Sequence, residues 1–238
     1  MLVEGYDELG TALDSGARPT ALYYCPSLVR DASQLSMLDR VRELGAGVYE
    51  LSPRVFEKVA YRQSPDGWLA ELPTIATGLE RLQPPERPLL LVCAGVEKPG
   101  NLGAMLRTAE AAGVDAVIAA PPGTDWGNPN VVRASRGSVF AVPVAEAEQA
   151  ELVRWLRERG VSIAVADPQS GVAYTSADLG GGVAIVVGAE SQGVHGSWKD
   201  VADVSVRVPM FGQMNSLNVS TSAALVIYEA LRQRGRLG

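Results

Sequence analysis

The sequence predicts an α/β fold with a parallel sheet in its larger, carboxy-terminal part. Helical stretches alternate with continuous apolar runs, which are typical of parallel strands covered on both faces. The composition, with 47% hydrophobic and 20% charged residues, is that of an ordinary globular protein. The apolar runs lie at residues 89–93, 116–119, 162–166, 183–187 and 204–208.

The first 75 residues predict a smaller α/β unit of their own. Helices are predicted over residues 6–15 and 35–44 and from Pro53, which follows Ser52 at a first helical position. Strands are predicted at residues 2–3, 21–25, 48–51 and 67–72. The proline-rich segment 82–88 then predicts an extended linker. We therefore expect a small domain over residues 1–75, a linker over 76–88 and a second domain over 89–238.

Several classes of protein are disfavoured by composition. No apolar run approaches the roughly 20 residues of a membrane helix, and the first residues lack a signal-peptide pattern, so we expect a cytoplasmic protein without a membrane partner. Cys25 and Cys93 lie in apolar, strand-like surroundings and are expected to be buried. With His195 as the single histidine, we expect no metal site.

The net charge of −6 argues against a nucleic-acid partner, because phosphate binding depends largely on Lys and Arg. Neither the first 75 residues nor the remainder contains an excess of basic side chains. A local basic patch is still sufficient for an enzyme that must release its product.

A helix predicted to begin near Asn101 follows the strand at residues 89–93. Arg107 lies off the apolar face of this helix, and Gly103, one turn earlier, leaves a bare surface. Because helical side chains lean toward the amino terminus, we expect Arg107 to project toward the carboxyl end of the strand, where ligands bind in open α/β sheets. The alternative is a solvated arginine paired with Glu110.

Two further motifs follow later strands. The sequence Gly-Ala-Glu-Ser-Gln-Gly occupies residues 188–193, where Gly188 permits close approach of a ligand and Glu190 follows at the sheet edge. Val-Pro-Met at residues 208–210 ends a strand, and Ser-Leu-Asn-Val-Ser follows at 216–220. A GxGxxG fingerprint after a first strand is absent, which disfavours a dinucleotide-binding Rossmann domain.

With Asn-Leu-Gly-Ala-Met-Leu-Arg-Thr-Ala at residues 101–109, these segments resemble the three motifs of the SpoU/TrmH family of RNA ribose methyltransferases. The resemblance is strong across residues 89–234 and moderate across 1–75, where the sequence is similar to the family's small RNA substrate-binding domain. It implies a trefoil-knot methyltransferase domain, S-adenosylmethionine as cofactor, RNA as partner and an obligate homodimer.

The resemblance also implies site residues. Family members use the arginine matching Arg107 to activate the ribose 2′-hydroxyl. Since arginine is effectively always protonated in proteins, we expect Arg107 to orient the hydroxyl and its neighbouring phosphate by charge. The implied catalytic residues are Asn101, Arg107, Glu190, Ser216 and Asn218. The implied cofactor-binding residues are Val187, Gly188, Val208, Met210 and Leu217.

Two other segments suggest macromolecular contacts. Arg133 and Arg136 lie three residues apart among hydroxyl-bearing residues, a pattern suited to RNA phosphate, although a solvated helix start is the alternative. The helix predicted over residues 217–234 is apolar nearly all round, so it is either a central core helix or also part of a subunit interface.

The sequence therefore predicts a homodimeric S-adenosylmethionine-dependent 2′-O-ribose methyltransferase acting on RNA, with 23S rRNA as the expected substrate. A tRNA methyltransferase of the same fold is the alternative within the enzyme class. Outside it, the alternatives are a catalytically silent RNA-binding or ribosome-assembly factor and, supported only by net charge, an α/β enzyme without an RNA substrate.

Overall fold

The computed structural model of the chain describes residues 1–188, 194 and 196–237. It divides into two compact units. The first comprises Met1–Ile75 and Asp125–Ala141, and the second comprises Ala76–Thr124 and Val142–Gly238. Glu190 and His195 lie outside the described residues. Among the helices that the structure describes, none is both long and apolar enough to cross a membrane.

Strands and helices are numbered in chain order. The described strands are β1 (Leu2–Glu4), β2 (Ala21–Tyr24), β3 (Gly47–Glu50), β4 (Trp68–Glu71), β5 (Leu89–Ala94), β6 (Ala116–Ala119), β7 (Val144–Glu146), β8 (Ser162–Ala166), β9 (Val183–Gly188) and β10 (Val204–Val206). The described α-helices are α1 (Tyr6–Asp14), α2 (Ser36–Glu43), α3 (Pro53–Val59), α4 (Pro99–Ala112), α5 (Pro129–Ser135), α6 (Ser138–Ala141), α7 (Gln149–Glu158), α8 (Gly196–Asp200) and α9 (Val219–Gln233).

The first unit contains a mixed sheet in the order β1-β4-β2-β3, with β2 parallel to β3 and β4 antiparallel to both of its neighbours. Buried Phe56 of α3 packs with Cys25 and Leu69. The strands and helices predicted within the first 75 residues are confirmed. The segment with α5 and α6 also belongs to this unit, although it lies in the range predicted for the second domain.

The second unit contains a six-stranded sheet in the order β10-β8-β9-β5-β6-β7, in which every pair of neighbours is parallel. The predicted parallel α/β fold is confirmed. Every residue of β5 and β9 is buried, as expected for apolar strands in the middle of such a sheet. The predicted strand over 204–208 ends earlier, at Val206, and Arg207 forms only an isolated bridge with Ala173.

Helix α9 is a core helix with one face left open. Val226, Ile227 and Ala230 are fully buried, whereas Tyr228 is 41% exposed. The helix begins at Val219, two residues later than predicted, because Asn218 is its N-cap. At the other end Arg234 donates hydrogen bonds to the carbonyls of Arg87, Pro88 and Gly181, so the helix is tied to the segments that precede β5 and β9.

Candidate functional site

A cavity of about 360 Å³ lies at the carboxyl ends of β8, β9 and β10. These three strands are adjacent and parallel, so the segments that follow them meet at one edge of the sheet. The described residues that line the cavity are Ala166, Asp167, Pro168, Val187, Gly188, Val194, Val206, Arg207, Val208, Met210, Asn215, Ser216, Leu217, Asn218, Val219 and Ser222.

This cavity brings together most of the residues predicted from the second and third motifs. All five residues predicted to bind the cofactor lie in its wall: Val187, Gly188, Val208, Met210 and Leu217. Two of the predicted catalytic residues, Ser216 and Asn218, also line it. Three strand ends and the loop before α9 therefore form one site from segments that are distant in sequence.

The start of α9 is connected to the start of α4 by an amide pair. Asn218 accepts a hydrogen bond from the backbone N–H of Ser220 at 3.0 Å, which caps the helix. Its side-chain nitrogen donates to Oδ1 of Asn101 at 3.1 Å. Asn101 lies in the first turn of α4, the helix that comes after β5 in the chain. The predicted residue Asn101 is thus adjacent to the cavity wall, although it does not itself line the cavity.

Arg107, unlike Ser216 and Asn218, is not part of the cavity wall. It lies six residues after Asn101, about 9 Å further along the axis of α4, and it is exposed. Its side chain makes no hydrogen bond or ion pair with the described residues and does not line the cavity. Glu190, the remaining predicted catalytic residue, lies outside the described residues.

The two predicted RNA-binding arginines belong to the first unit. Arg133 is exposed on α5, and its guanidinium makes no ion pair with the described residues. Arg136 adopts the left-handed conformation at the end of α5, with φ of 51°, and pairs with Asp7 at 3.0 Å. Of these two arginines, Arg136 has a carboxylate partner, whereas Arg133 has none in the described part of the chain.

Three further residues that no sequence motif predicted also line the cavity: Asp167, Arg207 and Ser222. Burial alone would raise the pKa of Asp167, but hydrogen bonds from Lys199 and from the backbone N–H of Gln169 outweigh it, so this pKa lies below its usual value. Asp167 immediately follows the strand predicted at residues 162–166. Its place at the carboxyl end of a parallel strand was the available signal.

The cysteines and acidic residues indicate neither thiol chemistry nor a metal centre. Both cysteines are buried, as predicted, and burial raises the pKa of Cys93 to about 12, so its thiol is neutral near pH 7. Within the described ranges, no three histidine, cysteine or acidic side chains are close enough to bind a metal ion together.

Comparison with known proteins identifies the family. The model of the SpoU rRNA Methylase family matches residues 88–228, which is more than half of the chain. The chain belongs to the SpoU rRNA methylase family. The model of the MRM3-like substrate binding domain matches residues 1–70. The predicted resemblance to SpoU methyltransferases is confirmed by these matches.

Individual relatives resemble this SpoU family member over both parts of the chain. The 23S rRNA (guanosine-2′-O-)-methyltransferase RlmB of Bordetella pertussis is 35% identical over 216 residues, covering 89% of this chain and 88% of the relative. A crystal structure of an RNA 2′-O ribose methyltransferase is 37% identical, covers 98% of this chain and 88% of that chain, and has a TM-score of 0.84.

A third relative, the SpoU methyltransferase AviRb from Streptomyces viridochromogenes, was solved in complex with the cofactor AdoMet. It is 26% identical and has a TM-score of 0.88, and the similarity covers 98% of this chain and 90% of that one.

Asn218 provides a test of the amide pair at the site. Asn218→Ala removes the cap acceptor and is expected to destabilise the start of α9 by about 1 kcal/mol. Asn218→Asp keeps the acceptor for the backbone N–H of Ser220, so most of the stability should remain. Hydrogen exchange of the first turn of α9 measures both effects. An Asn218→Ala variant with unchanged exchange would contradict the cap.

Proposed function

We propose that this chain is a cytoplasmic, S-adenosylmethionine-dependent methyltransferase that modifies the 2′-hydroxyl of a ribose in 23S rRNA. The central observation is that one cavity contains all five residues predicted to bind the cofactor. The Bordetella pertussis relative is named as a 23S rRNA methyltransferase, and the similarity extends over 89% of this chain. The AviRb relative was solved with AdoMet, which supports the choice of cofactor.

The cavity fits such a cofactor in size and chemistry. A volume of about 360 Å³ lies within the range of small-molecule sites. Val187, Val208 and Leu217 provide apolar surface for an adenine ring and a methionine side chain, and Asp167 and Ser222 provide polar groups. Gly188 ends β9 without a side chain, which leaves room for close approach to the backbone.

The chemistry required of the protein is mainly positioning. S-adenosylmethionine, when bound, supplies a methyl group activated by a positively charged sulfur. The ribose 2′-oxygen bonds to the methyl carbon as the carbon–sulfur bond breaks, and the hydroxyl proton leaves to water. Ser216 and Asn218 are proposed to orient the ribose beside the cavity, with Asn101 fixing the amide of Asn218.

Arg107 is proposed to bind the phosphate next to the target ribose and to orient its hydroxyl by charge. A guanidinium is a strong partner for phosphate because it donates several hydrogen bonds in one plane. Its lack of an ion pair with the described residues leaves the charge available to RNA. We propose Glu190 as a further catalytic residue on the basis of the motif.

We also propose that the enzyme is a homodimer through α9, and that its chain forms the family's trefoil knot. Tyr228 is 41% exposed on the side of α9 that faces away from the buried core. Thr221 is exposed, and Ala224 and Leu225 are half-buried, on the same side. An apolar stripe of this kind is suited to burial against a second copy.

The first unit is proposed to contact RNA through Arg133, with a smaller contribution from Arg136. Asn130, one turn before Arg133 on α5, donates a 2.7 Å hydrogen bond to the hydroxyl of Tyr61, whose ring is exposed. An exposed aromatic ring bonded to the helix of a guanidinium that pairs with no described carboxylate is suited to nucleic acid, because rings stack on bases and cations bind phosphate.

The rival in a different class is an RNA-binding or ribosome-assembly factor without catalysis. The cavity argues against it, because a factor of that kind has no need of a small-molecule site. Within the enzyme class, the match of residues 1–70 to a substrate-binding domain favours rRNA over tRNA, since the relative named for 23S rRNA spans the same region.

Replacing Arg107 tests the proposed catalysis. Arg107→Ala should reduce transfer of labelled methyl to rRNA by at least 100-fold and leave cofactor affinity within about twofold, because the side chain lies outside the cavity. Arg154→Ala, at an exposed arginine of α7, is the matched control and should retain full activity. Normal methylation by Arg107→Ala would refute its role, and loss of cofactor binding would refute its placement.

Arg133 can be tested through the salt dependence of RNA binding. Arg133→Ala should weaken binding to rRNA fragments and reduce the slope of log affinity against log salt by about 1. Arg136→Ala should have a smaller effect because Arg136 already pairs with Asp7. Arg40→Ala, which removes a cation paired with Asp14 at 2.7 Å in the same unit, is the control. An Arg133→Ala slope equal to that of wild type would contradict the proposal.

The dimer proposal is tested by sedimentation. Tyr228→Asp places a charge in the exposed stripe of α9 and should convert a dimer into monomers at micromolar concentration. Val59→Asp, at a residue 48% exposed in the first unit, is the matched control and should remain dimeric. A monomeric wild type, or a dimeric Tyr228→Asp variant, would contradict an interface at this position.

A further inference from the structure

Asp167 lies in the wall of the cavity with its carboxylate held in a fixed orientation. Its side chain is only 12% exposed and accepts a hydrogen bond from Lys199 Nζ at 2.7 Å. The backbone N–H of Gln169 donates to the other oxygen at 3.1 Å, and the backbone N–H of Asp167 donates to Val206. Strand β8, strand β10 and helix α8 together determine the position of this carboxylate.

The cost of withdrawing Asp167 from water indicates a use for its charge. Burial disfavours the ionised form, yet the hydrogen bonds from Lys199 and Gln169 outweigh this effect and hold the pKa below its usual value. Asp167 is therefore ionised near neutral pH. An ionised carboxylate accepts about four hydrogen bonds, and two of these are provided by the protein. Two acceptor positions remain for a ligand.

The surrounding charges determine which donor fits. Lys199 forms a 2.7 Å ion pair with Asp167 and so already neutralises its charge. A second ammonium group would therefore be repelled by Lys199 and would gain little from the carboxylate. A neutral hydroxyl meets no such repulsion and can still donate to the carboxylate. Carboxylates at the carboxyl ends of parallel strands accept hydrogen bonds from ribose hydroxyls in other α/β folds, which is the same chemistry.

We propose that Asp167 is a cofactor-recognition residue that accepts a hydrogen bond from the ribose of the adenosyl group, and that Lys199 is its positioning residue. This inference rests on the proposed function, since it requires S-adenosylmethionine in the cavity. It assigns the wall residues Asp167, Pro168 and Arg207 to the ribose of the cofactor, and the wall residues Ser216 and Asn218 to methyl transfer.

A hydrogen bond from the cofactor ribose to Asp167 would make the site selective for ligands that have the ribose hydroxyls. A site built to accept a hydrogen bond from a hydroxyl rejects an analogue without that hydroxyl, because the carboxylate is then withdrawn from water without a partner. Loss of the carboxylate should remove this selectivity. A role of Asp167 in folding alone would weaken the binding of every ligand equally.

The experiment is calorimetric titration of the full chain with S-adenosylhomocysteine and with its 2′-deoxy and 3′-deoxy analogues. Wild type should bind S-adenosylhomocysteine at least 10-fold more tightly than one or both analogues. Asp167→Ala should lose at least 10-fold in affinity for S-adenosylhomocysteine and should no longer distinguish it from the analogues. Asp167→Asn keeps one acceptor oxygen and should lose less affinity for S-adenosylhomocysteine than Asp167→Ala. The affinity of Lys199→Gln should lie between those of wild type and Asp167→Ala.

Asp203→Asn is the matched control, because Asp203 forms a 2.7 Å ion pair with Arg157 in the same unit and does not line the cavity. It should bind all three ligands like wild type. The inference is overturned if wild type binds the three ligands equally, or if Asp167→Ala and Asp167→Asn retain wild-type selectivity. It is also overturned if the Asp167 variants weaken all three ligands by the same factor.

The outcomes separate this inference from the proposed function. A wild-type chain that binds S-adenosylhomocysteine and methylates rRNA, with unselective binding of the analogues, would overturn only the role of Asp167. A wild-type chain that does not bind S-adenosylhomocysteine would overturn both. Circular dichroism of each variant establishes that the fold is intact before affinities are compared.

Discussion

The parallel pairing of β10, β8 and β9 is the constraint on which the site depends. Parallel strands end at the same edge of a sheet, so the segments after β8, β9 and β10 must meet there. In an antiparallel arrangement, Asp167, Gly188 and Val208 would lie at opposite edges. The apolar sequences of β8 and β9 suit this position, because strands in the middle of a parallel sheet are covered on both faces.

Helix α9 connects the core to the site. Its buried face packs in the second unit, Arg234 ties its last turn to backbone carbonyls, and Asn218 caps its first turn at the cavity wall. The positions of Ser216 and Leu217 therefore depend on the packing of a helix whose far end is more than 20 Å away, at about 1.5 Å per residue. The packing of α9 in the core therefore helps to hold Ser216 and Leu217 at the cavity wall.

Prediction from sequence succeeded where a local pattern determines structure. The apolar runs of β5 and β9 and the proline at the start of α3 identified those elements directly. The cofactor positions came from resemblance to a family, since no periodicity indicates that Val187 and Leu217 share a cavity. Strand β7, at one edge of the six-stranded sheet, was not predicted.

Other features depend on contacts between distant segments. The association of α5 with the first unit includes an ion pair between Arg136 and Asp7, which are 129 residues apart, and sequence patterns do not reveal such contacts. Asp167 belongs to no motif, and its position after a predicted strand does not reveal the ion pair with Lys199 or the cavity beside it. Arg107 is exposed on α4, and its expected projection toward the carboxyl end of β5 stays a prediction.

The most direct test of the central claim is a crystal structure of the chain with S-adenosylhomocysteine. We expect the ligand in the cavity at the carboxyl ends of β8, β9 and β10, in contact with Val187, Val208 and Leu217. A ligand bound elsewhere in the second unit would contradict the assignment of this cavity. So would an empty cavity in crystals grown at saturating ligand.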